Sequence, residues 1–586
     1  MTKIPSGKLN SNLEIFLLGC GVLDQHPSSP TRILMEIADS AHRRNAGRTG
    51  VAALDDLFQA YNRGDAPGMV VGVARHGRTL YRRGFGLASV ELGVANTPST
   101  RMRIGSTSKH FTSLAVLLLA EQGKLDPDAS IRHYMPELPK LEAEPSLRQL
   151  MSHTGGYRCQ LDLGFIADGM AIQAKGSALA AQLRQRAANF APGEASLYCN
   201  GAYHLLSHVV ARASGMPFEQ FLRERIFLPL GMVDTASVPS DFEIHRGMAT
   251  LHLPLPDGGW RRGIFPSEEL LGEGALVSTL DDMLRWLAHL RGPKTVGSEA
   301  SWAQMTTPAR LNNGTVIPYA LGLMRHDYRG VEVIHHAGGV IGGASQMLTV
   351  PDHELDVIIM TNGAMANPVA LANQVVDALL GDALGAADEK AATARFRPLL
   401  GARYRAPGTG HVIGFDDVGG KLGLSFLNGP AMPLTDGGDA LRIGFQEIAA
   451  GPLSLPVAQL SDLREAPASL QFSDAGNTAI FERLPAEAPS LSQAGAALVG
   501  NYHAADLGAY AEIRFDGDVL NLYVNGAHAV SVMQLEALCP DVFGLKSPIA
   551  ALSLHGIVNV ERREGRVTGF VLDTLRTRHL QFDRKD

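Results

Sequence analysis

The segment RIGSTSKHFTSLAVLLLAEQGKL, Arg103 to Leu125, reads as a helix opened by Ser106 that carries Phe111, Leu114, Leu117, Leu118 and Leu119 at helical spacing and leaves little polar face. A helix that is apolar nearly all round has to be covered on every side, so it belongs at the centre of a domain. Its first turn raises a chemical question, because Ser106 stands three residues before Lys109. Residues i and i+3 of a helix share a face, so the two side chains can meet. A serine hydroxyl is a weak nucleophile that needs a base within hydrogen-bond reach. A lysine near a helix N-terminus in apolar surroundings favours its neutral, base-competent form. A helix cap followed by a solvated lysine would give the same letters, so this single Ser-x-x-Lys carries little weight alone.

Around this helix the pattern is mixed. MVVGVARHGRTLYRRGFGLAS, Met69 to Ser89, reads as two strands joined at His76-Gly77. Residues from about 128 to 260 look mainly helical, with Pro- and Gly-rich connections. After the helix STLDDMLRWLAHL come the strand-like runs YALGLMRH, VEVIHH, SQMLTV and LDVIIMT, and then a closing helix, NPVALANQVVDALLG. Strands at both ends of a helical insertion predict one α/β domain whose sheet is completed from both ends.

A chain of 586 residues is too long for one core. The alanine-rich LGAADEKAATARFRP reads as a linker, and beyond it lies an internal repeat. Gly401, Tyr404, Phe415 and Asn428-Gly429 of the first copy correspond to Gly500, Tyr502, Phe515 and Asn525-Gly526 of the second, and the copies close on IFERL and LQFDR. Short alternating strands with Gly/Asn turns predict a small antiparallel barrel or sandwich in each. The expected organisation is an N-terminal extension (1–49), a catalytic domain (50–386) and two β domains (387–490 and 491–586).

A net charge of −7 without any Lys/Arg stripe speaks against nucleic acid as a partner. Cys20, Cys159, Cys199 and Cys539 form no CxxC pair, which fits a reducing compartment. LEIFLLGCG contains a lipobox-like Leu18-Gly19-Cys20, but its apolar run is short and interrupted by Glu14, so a cytoplasmic location without membrane attachment is expected. No HExxH, Walker A or GxGxxG motif is present, and no metal or cofactor is expected.

Two further motifs follow in order. LYCNG gives Tyr198-Cys199-Asn200 ahead of a helix, and IHHAGGVIGG gives His336-Ala337-Gly338 at the end of a strand-like run. Ser-x-x-Lys, Tyr-x-Asn and [Lys/His]-x-Gly in this order make the signature of the penicillin-recognising serine hydrolases, and the chain resembles that family, which includes class C β-lactamases, DD-peptidases and related esterases. LRQLMSHTGGY and GEGALVSTLDDMLRW also look like its recurring segments. Within it, YCNGAYHLLSHVVARASGMPFEQFLRERIFLPLGM, the His-x-Gly variant and the appended β domains are similar to the bacterial D-aminopeptidases, from about residue 50 to the C-terminus.

The resemblance implies an α/β chain: a β-lactamase-like αβ/α sandwich followed by two antiparallel, lipocalin-like β-barrels, assembled as a homodimer. It implies a serine hydrolase that releases N-terminal D-residues from small amides and short peptides through an acyl-enzyme. An esterase or β-lactamase-like hydrolase without free-amine specificity is the alternative. Ser106 would attack the carbonyl, Lys109 and Tyr198 would share the proton work, and Asn200 would orient Lys109 or contact the substrate amide. The oxyanion hole would combine the Ser106 N–H with one from Gly338-Gly339. His336 stands where a lysine usually supplies a fixed positive charge, and a neutral imidazole there argues against recognition of a substrate carboxylate. In D-aminopeptidases a loop of the last β domain helps hold the substrate's ammonium. Its counterpart, Gly544 to Gly556, has no Asp or Glu and carries Lys546. Glu273 in GEGAL offers a negative charge in its place, against the plainer expectation of an exposed structural carboxylate. Cys199 reads as a small packing residue.

Overall fold

The structure, a computed structural model, describes residues 50–585 apart from 257, 364–365, 386–389, 392–393, 437–438, 444–452, 457–459, 461–462, 550–551 and 553. The expected N-terminal extension, part of the linker and part of the Gly544–Gly556 loop therefore lie outside the described residues. The chain divides into two compact units. The first comprises the described part of Met1–Ala129 with Tyr203–Ala309 and Pro318–Ala387. The second comprises Ser130–Ala202, Arg310–Ile317 and Asp388–Asp586.

The first unit is built on six antiparallel strands: β1 (Met69–Arg75), β2 (Arg78–Phe85), β3 (Met324–Tyr328), β4 (Val331–Val340), β5 (Gly343–Val350) and β6 (Leu355–Thr361). Their order is β3-β4-β5-β6-β1-β2, and Met69 pairs with Thr361, so both ends of the segment complete the sheet. The β1–β2 hairpin turns at His76 (φ 50°) and Gly77 (φ 71°), the two left-handed residues that a tight primed turn requires. The longest helices among the described residues are α1 (Lys109–Glu121), α2 (Asn200–Ser214), α3 (Leu280–Arg291) and α4 (Pro368–Leu380). Leu371 and Val375 of α4 share a core with Val71, Val73, Val357 and Ile359. On the other face, Leu280 of α3 lies where a side chain on Gly72 would come within 2.8 Å of it. Strands covered on both faces read as apolar runs rather than alternations, as LDVIIMT does.

Two local expectations change. The turn carrying Ser106 is a 3₁₀ turn, Gly105–Ser108, and the α-helix starts only at Lys109. YALGLMRH is a strand only from Met324 onward. Before it, Gly322 (φ 78°) brings the backbone so close to the start of α1 that a Cβ would meet the His110 Cα at 2.8 Å. Those residues wrap the helix instead of joining the sheet.

In the second unit the last eight strands, from Gly500–Ala504 to Leu580–Lys585, form a closed antiparallel barrel, with Tyr502 opposite Arg584 where first and last strands meet. The preceding repeat pairs its first and last strands alike, Tyr404 opposite Arg483, within a ten-stranded antiparallel sheet. Among the described residues it stays short of closure: Met432–Pro433 and Thr435–Asp436 adjoin in sequence but do not pair. Pro433 lacks the N–H a ladder needs at that edge. The repeated tyrosines are buried equivalently, Tyr404 donating to the Pro467 carbonyl at 3.0 Å and Tyr502 to that of Leu498 at 2.6 Å. The architecture is thus a mixed α/β domain followed along the chain by near-closed and closed antiparallel β-barrels.

Candidate active site

From Met102 to Leu117 every residue is buried except Ser106, which is half-buried. Gly105 enters the turn at φ 51°, a left-handed conformation that favours glycine. The turn is held against β4 and β5: Ser345 Oγ donates to the Ile104 carbonyl (2.8 Å) and lies 3.0 Å from Thr107 Oγ1, which donates to the His336 carbonyl (3.3 Å). Contact is close enough to exclude side chains. A Cβ on Gly338 would stand 1.8 Å from the Ile104 oxygen, and one on Gly105 would stand 2.8 Å from the Gly339 nitrogen. β3 pairs with β4 only from Val331 to His335, so beyond that point this edge of β4 has no strand partner among the described residues. Backbone groups of Gly338 and Gly339 therefore lie beside the serine turn on an open strand edge.

Lys109 is fully buried, with Nζ 3.0 Å from Ser106 Oγ. The same nitrogen donates to the Glu273 carbonyl at 2.6 Å and stands 5.5 Å from the centre of the Tyr203 ring. A buried amine this near a serine hydroxyl is placed to take its proton. His336 is 1% exposed, its Nε2 3.0 Å from the Tyr319 hydroxyl. Burial first, and then the charge of Lys109, push its pKa down to about 3, so the imidazole is neutral at any ordinary pH.

Glu273 corrects the expectation of an exposed carboxylate: it is 3% exposed. Its Oε1 lies 3.1 Å from His204 Nδ1, and His204 Nε2 lies 3.3 Å from His208 Nε2. The loop is pinned from two helices, by Thr112 Oγ1 of α1 donating to the Gly272 carbonyl (3.0 Å) and by the Gly272 N–H donating to Ser207 Oγ of α2 (2.9 Å).

Tyr198 and Asn200 belong to the second unit. The Tyr198 ring packs on His153 with centroids 4.2 Å apart. His153 accepts the Cys199 N–H on Nδ1 (3.1 Å) and the Leu197 N–H on its carbonyl (3.0 Å). Asn200 opens α2, its Nδ2 3.9 Å from Cys159 Sγ, and the Cys199 thiol faces the Arg158 carbonyl at 3.6 Å. Arg576, paired with Asp162 at 2.6 Å, brings a positive charge to bear on both Tyr198 and Cys159. Among the described residues no group of three His, Cys, Asp or Glu side chains is arranged to hold a metal ion.

The Beta-lactamase family profile matches residues 54–381, more than half the chain and a range that contains all three motifs. The chain belongs to the Beta-lactamase family. Its curated relatives include the D-aminopeptidases of Brucella canis and Brucella anthropi. Both are 27% identical to it, over 375 and 374 residues that make up 62% of this chain and 68% and 69% of theirs. The octameric penicillin-binding protein homologue from Pyrococcus abyssi superposes with a TM-score of 0.50 at 17% identity, over 94% of this chain and 100% of that one, and supports the fold alone.

Of the seven residues singled out in sequence, this Beta-lactamase-family chain places Ser106, Lys109, His336, Gly338 and Gly339 in one unit and Tyr198 and Asn200 in the other. Thr107, Ser345, Tyr319, His204 and Arg576 were not anticipated. One signal was available: Asn200, His204 and His208 recur every fourth residue and so line one face of α2. Nothing of that kind marks Arg576.

Proposed function

We propose that this serine hydrolase is a D-aminopeptidase or D-stereospecific amidase. The observation that carries the reading is the Lys109 amine 3.0 Å from Ser106 Oγ, at the one half-buried residue of an otherwise buried segment. Ser106 Oγ attacks the substrate carbonyl while its proton passes to Lys109, with Tyr198 sharing the transfer. The oxyanion is met by the Ser106 N–H and an N–H from Gly338-Gly339. As the intermediate collapses, the C–N bond breaks and the proton goes to the departing amine; water then releases the acyl group by the same route. Neutral His336 offers no fixed cation for a substrate carboxylate, which favours substrates read through an amine or an uncharged end. The relatives named D-aminopeptidase support the amine.

A second reading, an esterase without free-amine specificity, is favoured by one observation: Glu273, the carboxylate the sequence offered for a substrate amine, is already engaged by His204. Side-by-side assays on D-alanine and L-alanine p-nitroanilides, with Ser106→Ala as the blank, separate the two. Release from the D-isomer alone supports the aminopeptidase. No release from either, with p-nitrophenyl acetate still cleaved through Ser106, moves the protein to the esterase reading.

A further inference from the structure

Glu273 contributes two different things to the site. Its backbone carbonyl anchors Lys109 Nζ, and its buried carboxylate meets His204. We propose that the Glu273–His204 ion pair is the positioning device of the base: it fixes the carbonyl that holds Lys109 and cancels the carboxylate charge behind it. The inference rests on reading Ser106 and Lys109 as nucleophile and base.

A carboxylate that is 3% exposed stays ionised only when compensated. Burial alone would raise its pKa, but the charge and hydrogen bond of His204, with smaller help from the backbone at Glu273 and Leu271, more than offset that and hold it below its ordinary value. Burial would likewise depress His204, and Glu273 reverses this, so the imidazole holds its proton above the ordinary histidine range. Glu273 Oε2 has no hydrogen-bond partner among the described residues, which leaves His204 as the cation on which the carboxylate depends.

The surroundings decide where the proton sits. His208, one turn along α2, is held neutral down to about pH 4, first by burial and then by the charge on His204. It is half-buried, and the charges of Glu269 and Arg212 also act on it. On α1, Lys109 meets the Glu273 backbone through its carbonyl.

If His204 loses its proton, an uncompensated carboxylate remains in a low-dielectric interior, on the residue that anchors the base. That charge favours the ammonium form of Lys109 and withdraws the amine needed to accept the serine proton. Activity should therefore fall on the alkaline side as His204 deprotonates, without any change in the groups that touch substrate.

The test is the pH dependence of kcat and KM for p-nitrophenyl acetate, with thermal midpoints, in wild type, His204→Gln, His204→Arg and the double variant Glu273→Gln/His204→Gln, with Ser106→Ala as blank. His204→Gln is expected to lower kcat about tenfold or more at neutral pH with KM nearly unchanged. The double variant, which removes the carboxylate as well, should recover most of that loss, and His204→Arg, which cannot deprotonate, should lose the alkaline fall. A His204→Gln enzyme with wild-type kcat and pH profile overturns the proposal, as does a double variant that folds but recovers nothing. Turnover that persists in Ser106→Ala would overturn the reading of the site itself. Ser106-dependent turnover indifferent to residue 204 would overturn only this inference.

Discussion

His336 stands on β4 fully buried, hydrogen-bonded to Tyr319 and close enough to Lys109 to feel its charge. Restoring the lysine usual in related hydrolases would bury a cation beside Lys109, where the imidazole now meets the Tyr319 hydroxyl. His336→Lys is therefore expected to lose stability by about 3 kcal/mol or more in urea titration rather than to gain carboxylate binding, whereas His336→Asn should stay folded. Three buried histidines, His110, His335 and His336, share this neutral state, each depressed chiefly by burial. A group whose folded pKa lies below its unfolded one binds more protons when unfolded, so its stabilisation is present above the unfolded value and is lost as pH falls. Unfolding midpoints should drop as pH falls below about 6.5, each histidine costing up to about 1.4 kcal/mol per pH unit. Midpoints flat from pH 7 to 4 would contradict this. At this scale residue type was informative and burial was not. That the histidine would be neutral could be read from its identity, but no letter pattern distinguishes a solvated Glu273 from one sealed against His204.

The serine turn and strand β4 work as one element because Gly105 and Gly338 let their backbones touch. Gly338→Ala would press a methyl group onto the Ile104 carbonyl, 1.8 Å away, and must part the turn from the strand edge. The expected outcome is a destabilisation of about 1–3 kcal/mol and the loss of Ser106 labelling by a fluorescent phosphonate. Gly381→Ala, in open space with φ −46°, is the control and should change neither. The hairpin, the two-ended sheet and the buried helix were all legible, because each is written in local periodicity. The 3₁₀ turn at Ser106 and the loss of strand at Tyr319–Leu323 were not. Both arise from contacts between segments far apart in sequence: Gly105 against Gly339, and Gly322 against His110.

At the scale of the whole molecule, the last barrel is joined to the segment that precedes the Tyr-x-Asn motif. Within the second unit, Arg158 pairs with Asp506 and donates to the Arg578 (2.8 Å) and His579 carbonyls (2.7 Å). Asp162 receives Arg576 (2.6 Å) and the Thr574 hydroxyl (2.9 Å), and Asp168 accepts the His528 N–H (2.7 Å). Cys159, which faces Asn200, lies between the first two of these anchors. The family resemblance points to Gly544–Gly556, yet these ties run through Asp506, His528 and the connection at 574–579, and pairings between residues some 350 to 420 positions apart leave no trace in a single sequence. Arg576 is thus a residue of the barrel that stabilises the tyrosine's surroundings. Arg576→Leu leaves Asp162 buried at 3% exposure without its cation, which should cost about 3–5 kcal/mol in the unfolding of the second unit. Changing both, Asp162→Leu with Arg576→Leu, removes the stranded charge and should restore most of that stability. If the barrel were a mere appendage, the single substitution would leave both the urea midpoint and Ser106-dependent turnover as they are in wild type. If it holds the Tyr198 segment, both fall together, and the double variant regains stability more fully than activity, because the charge of Arg576 on the tyrosine is then lost.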